Sequence, residues 1–150
     1  MYVHDLSPYV FRIAGNFGVQ WYGLSYLMGF FIAYVMTLWL VNRQRAGLTV
    51  NMVGDFVSYC VVGVLLGGRL GYCVFYSPDL FLKFKDSFPF WGVLALNEGG
   101  MSAHGGIIGL ILAATLYAMK TGVHRLYLYD LIAITGPLGL LMGRIANFIN

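Results

Sequence analysis

The sequence predicts an all-α membrane protein, a polytopic chain of four transmembrane helices with its N-terminus outside. Three observations carry that prediction. Apolar residues make up 59% of the 150 positions and charged residues only 10%, where a soluble domain carries about 25% charged residues. Mean hydropathy is +0.75. Four apolar runs follow one another, each near the ~20 residues that cross a bilayer as a helix. Backbone groups in lipid must be satisfied within the segment, so these runs read as helices. The formal net charge of +3 comes from scattered basic residues, which argues against a nucleic-acid partner.

The first span, residues 19–41, has no charge at all. No Lys/Arg-rich region precedes it and no small-residue cleavage pattern follows it. It is therefore expected to stay in the protein rather than leave as a signal peptide. The second span, 53–76, contains Asp55 and Arg69. The third, 101–119, begins beside His104. The fourth, 126–150, holds Asp130 early and Arg144 late. Glycines recur every four residues at 63, 67 and 71, at 105 and 109, and at 139 and 143, a spacing that lets helix backbones approach closely. Cys60 and Cys73 lie thirteen residues apart in one span, roughly 20 Å along a helix. That is too far for a disulfide, and they read as small apolar side chains.

Orientation follows from the short loops. Residues 42–52 carry Arg43 and Arg45, and residues 120–125 carry Lys120 and Arg125. On the other side, the N-terminal segment has Arg12, and loop 77–100 has Lys83 and Lys85 beside Asp79, Asp86 and Glu98. The denser basic loops belong inside. Tyr22 and His104 then start spans at the outer surface, and Arg69 and Arg144 end spans there. All four share the outer half of the membrane, as one outward-opening site would require. Loop 77–100 also carries Phe81, Phe84, Phe88, Phe90 and Trp91, which suit an interfacial segment.

Arg69 lies about 10 Å inside its span by helix rise. An arginine at that depth costs on the order of 2.5 kcal/mol or more, so it marks function by default. The bland alternatives are a side chain that snorkels to the surface or one that pairs with a carboxylate. Arg144, Asn147 and Asn150 follow at i, i+3, i+6 and share a helical face. Guanidinium and amide donors together suit an anion. Asp55 and Asp130 sit at inner helix ends, leaving Glu98 as the only acid close to the outer rim that could reach into the site. Two surplus positive charges beside lipid headgroups suggest an anionic phospholipid, although a soluble anion fits the same donors. His104 can exchange a proton near neutral pH and is a candidate general base; the alternative is a hydrogen-bonded packing residue. Tyr22, beside Trp21, reads either as a site hydroxyl or as part of an aromatic belt. No second ligand accompanies His104 at useful spacing, so no metal is expected.

The motifs "WYGLSY", "GGRLGY", "GGMSAHGG" and "GRIANFIN", taken in order, resemble the prolipoprotein diacylglyceryl transferase family. The resemblance implies a multi-pass enzyme of the bacterial inner membrane, with its site and N-terminus on the periplasmic side. Such an enzyme moves the diacylglyceryl group of phosphatidylglycerol onto the lipobox cysteine thiol of a prolipoprotein signal peptide, releasing glycerol 1-phosphate and using no cofactor. Position by position, His104 matches the histidine that helps activate the thiol. Arg144 and Asn147 match the signature residues that engage the headgroup, with Asn150 as the second asparagine. Tyr22 matches a tyrosine the family needs, and Arg69 its "GGR" arginine. The family signature continues to a glutamate and a glycine, and further spans carry another arginine. Residues 1–150 are therefore expected to be one integral membrane domain, the amino-terminal part of a longer enzyme, with activity expected of that enzyme rather than of these residues alone.

Two other functions compete. An anion or lipid transporter or channel would need polar residues through the inner half of the spans, which are missing. A non-catalytic assembly subunit would use the glycine faces as contacts and leaves the Arg/His/Asn set without a purpose.

Overall fold

The computed structural model describes residues 9–14, 17–44, 47–84, 90–95 and 99–149. The element order is β1 (Tyr9–Ala14), β2 (Phe17–Gln20), α1 (Trp21–Gln44), α2 (Val50–Phe75), two 3₁₀ turns (Pro78–Phe81 and Gly92–Leu94), α3 (Ala103–Thr121) and α4 (Arg125–Ile149). All four helices are long and apolar enough to cross a membrane, as the hydropathy of the sequence requires. The antiparallel β1–β2 hairpin, with Tyr9 opposite Gln20 and Ala14 opposite Phe17, is an addition to the helical reading. It also shifts one boundary: Val19 and Gln20, expected in the first span, belong to β2, and the helix starts at Trp21. The chain divides into two compact units, Met1–Val57 with Tyr129–Asn150, and Ser58–Leu128.

In the Ser58–Leu128 unit the glycine spacing does what close packing needs. A Cβ on Gly63 would meet the Gly109 carbonyl at 2.5 Å; one on Gly67 would meet the Gly105 carbonyl at 2.4 Å; one on Gly71 would lie 2.8 Å from the Gly105 Cα. Rising positions on α2 thus meet falling positions on α3, so the helices run antiparallel in backbone contact. Ala113, buried, extends this seam, its Cβ 2.6 Å from where a Cβ on Gly63 would lie. At its far end Tyr117 is buried against Tyr59, edge to face at 5.2 Å, and Lys120 Nζ donates to the Tyr59 hydroxyl at 3.1 Å. Val62, Leu66, Leu70 and Val74 leave a stripe of exposed apolar side chains on α2, as lipid contact demands.

In the other unit, a Cβ on Gly29 of α1 would lie 3.2 Å from the Gly139 Cα of α4. Pro137 sits inside α4; its ring removes one backbone donor, yet the helix continues through Ile149. Hydroxyls of Thr37, Thr115, Thr121 and Thr135 donate to the carbonyl four residues back, at 2.7–2.8 Å, so none needs water inside an apolar span. Cys60 and Cys73 are free thiols.

Between α2 and α3 the chain forms a compact loop. Phe84 bridges Trp91, their rings stack at 6.4 Å, and Trp91 Nε1 donates to the Phe81 carbonyl at 3.0 Å. Leu82, Phe84 and Phe90 remain exposed, the arrangement an interfacial segment needs. Phe88 lies outside the described residues. Lys83 forms an ion pair with Asp79 and, by hydrogen bonding and charge, holds its carboxyl below the usual range. A depressed folded pKa means the pair's contribution is present at neutral pH and lost as pH falls through the folded value. Both side chains are exposed, so that contribution is small. Lys83→Ala should return the Asp79 carboxyl to the ordinary carboxylate range, read by carboxyl-carbon NMR titration.

Candidate functional site

His104 stands in the first turn of α3 and is exposed. Its helix is started by Ser102, whose side chain accepts from the Gly105 amide at 3.2 Å while its carbonyl takes the Gly106 amide at 2.9 Å. Serine at this position satisfies one of the amides a helix leaves open at its N-terminus. The histidine therefore emerges at the positive end of the helix dipole, where a thiolate or phosphate is favoured.

Arg69, on α2, follows neither of the bland alternatives of a surface or a carboxylate partner. It is 4% exposed, so it does not snorkel, and its described partners are backbone carbonyls rather than a carboxylate. Nε donates to Val93 at 2.7 Å, Nη2 to Gly92 at 2.8 Å, and Nη1 to both Gly99 and Gly100. The guanidinium also lies 5.7 Å from the Tyr72 ring centre. Carbonyl dipoles thus offset the desolvation of the charge. Glu98, the acid expected near the outer rim, lies outside the described residues.

Arg144 is exposed near the C-terminal end of α4. The helix continues through position 147, so the three-residue spacing of Arg144 and Asn147 holds along the backbone. Of Tyr22 and Asn147 the structure describes the backbone, both in helix; Asn150 lies outside the described residues. His104 and Arg69 belong to the Ser58–Leu128 unit, and Tyr22, Arg144 and Asn147 to the other. Among the described residues no group of three His, Cys, Asp or Glu side chains could hold a metal ion.

Residues to which the sequence motifs assign no individual role are Gly92, Gly99, Gly100 and Tyr72. Gly99 and Gly100 have φ of +78° and +85°, a conformation that suits glycine. The paired glycines ahead of the Ser102 cap, with Met101 between, are the signal in the sequence that points to this turn.

Apolar helices long enough to span a bilayer, with a histidine at a helix entrance and arginines on α2 and α4, define a polytopic membrane protein with polar chemistry set in apolar surroundings. The family model for prolipoprotein diacylglyceryl transferase matches residues 8–150, and the chain belongs to that family. Among its relatives, a phosphatidylglycerol–prolipoprotein diacylglyceryl transferase of Bdellovibrio bacteriovorus is 64% identical over 148 residues, covering 99% of this chain and 42% of the relative. Proteins of the same name from Bordetella avium and Rickettsia canadensis are 44% and 39% identical, each covering 97% of this chain and 53% and 54% of the relative. The chain spans about half the length of the curated relatives it matches.

Proposed function

We propose that the protein built on these four spans transfers the diacylglyceryl group of phosphatidylglycerol to the lipobox cysteine of a prolipoprotein. The observation that carries this reading is the family match over residues 8–150, which includes each residue singled out for chemistry. In the reaction, the cysteine sulfur attacks the glyceryl carbon bonded to the phosphate oxygen. A C–S bond forms and the C–O bond breaks; its electron pair leaves on glycerol 1-phosphate. The thiol proton passes to a base, and His104 at the start of α3 is the candidate, because the thiolate is the nucleophile.

Arg144 and Asn147, with Asn150 three residues further along the sequence, engage the phosphate headgroup, and Tyr22 contributes a hydroxyl to the same reaction. Residues 1–150 act as one integral membrane domain within the longer enzyme. The basic loops at 42–52 and 120–125 support an N-terminus and a site on the periplasmic face of the bacterial inner membrane.

The test uses the intact enzyme in proteoliposomes containing phosphatidylglycerol, with a lipobox peptide as acceptor and thioether formation as readout. His104→Gln should lower transfer on the order of 10²–10⁴-fold, the range for a positioned general base, with insertion unchanged. Wild-type-like transfer in that variant would remove His104 from the mechanism.

A further inference from the structure

We infer that Arg69 is a positioning residue that fixes the loop before α3, and with it His104, rather than a ligand of the lipid headgroup. The inference rests on the transferase reading above for its kinetic consequences, but its structural content stands alone.

A guanidinium has five N–H donors in a rigid fork. Four of those in Arg69 already reach carbonyls, of Gly92, Val93, Gly99 and Gly100. Two-point recognition of a phosphate needs two parallel donors, and this side chain, 4% exposed, has no such pair left. The four acceptors come in two groups, one in the 3₁₀ turn Gly92–Leu94 and one directly ahead of α3. One cation therefore ties both groups to α2.

Neighbouring contacts work in the same direction. Gly92 is buried, and its amide donates to the Lys83 carbonyl at 2.8 Å. The Ser102 amide donates to the Gly68 carbonyl at 2.8 Å, beside Arg69 on α2. Ser102 then caps α3, and His104 follows two residues later. Tyr72, within 5.7 Å of the guanidinium, closes the other side. A Cβ on Gly100 would lie 2.4 Å from its ring, so only glycine lets that carbonyl turn to Arg69. The path from α2 to His104 thus runs through Arg69, the Gly99–Gly100 carbonyls and the Ser102 cap.

This assignment predicts that the loop can be disturbed with Arg69 intact. In the intact enzyme, Arg69→Lys replaces the fork by a point donor that cannot serve both carbonyl groups, and Gly100→Ala displaces one of those groups. Each should lower kcat on the order of 10²-fold, as a misplaced catalytic group does, with KM for phosphatidylglycerol little changed. Each should also speed amide hydrogen exchange in residues 91–102. Combined with His104→Gln and normalised to folded enzyme, either change should cost little more than His104→Gln alone, since residues acting as a unit are non-additive.

A rise in KM on Arg69→Lys, with exchange unchanged and with Gly100→Ala silent, would overturn the inference in favour of headgroup binding. Losses that multiply in the combined variants would also overturn it, leaving a purely structural role. If the wild-type enzyme transferred no lipid, the transferase reading would fail while the exchange measurement still tested the tie between Arg69 and the loop.

Discussion

Arg144→Ala in the intact enzyme is expected to lower kcat for lipid transfer to a lipobox peptide by about 10²–10³-fold, the effect of removing one preorganised donor from developing negative charge. The physical reason lies in the leaving group. In the proposed transfer, negative charge grows on a phosphate oxygen as the glyceryl C–O bond breaks, and preorganised donors stabilise such charge. A guanidinium held there offers two parallel donors and a charge that cannot be lost to the solvent. Arg144 is exposed on α4, so its removal should leave folding and insertion intact, as checked by expression level and detergent melting. Arg144→Lys should recover only part of the rate, because an ammonium supplies charge without the fork. Transfer close to wild type in both variants would exclude the residue from the reaction.

The second large effect is expected at the α2–α3 seam. On Gly109 a Cβ would fall 2.0 Å from the Gly63 carbonyl oxygen, and on Gly67 2.4 Å from the Gly105 carbonyl oxygen. Both obstacles are backbone, so neither can rotate away. The helices must separate, at a cost of about 1–3 kcal/mol or more for forced overpacking. Alanine's better helix propensity returns less than about 1 kcal/mol. Gly67→Ala and Gly109→Ala should therefore each lower the midpoint of denaturant-induced unfolding in detergent. Gly54→Ala, where a Cβ meets nothing within 4 Å, should match wild type or exceed it slightly. Activity should fall with stability at the seam, since Arg69 and His104 sit two and one residues from Gly67 and Gly105. Equal midpoints for Gly54→Ala and Gly109→Ala would show that backbone contact does not hold the pair together.

Much of this was legible in the residue order. The spans follow from hydropathy, and the four-residue glycine spacing marked the faces on which α2 and α3 meet. The hairpin was not read, although Gly15-Asn16 between two short apolar runs is a known hairpin signal. The apolar content that reveals spans also hides short strands beside them. Arg69 shows a different limit. Its depth marked it as important, and the alternatives considered were a phosphate, a carboxylate or the surface. Its described partners are carbonyls twenty-three to thirty-one residues away, and every residue owns a carbonyl.

By itself, then, the sequence determined that the chain forms four helices long and apolar enough to cross a membrane, and which polar side chains must be accounted for, because burying charge and backbone in lipid is costly enough to leave a pattern. Only the tertiary structure decided how Arg69 is neutralised and why Gly99 and Gly100 precede α3. Those outcomes depend on backbone acceptors and positive φ angles, which acquire direction only when the loop is folded against α2.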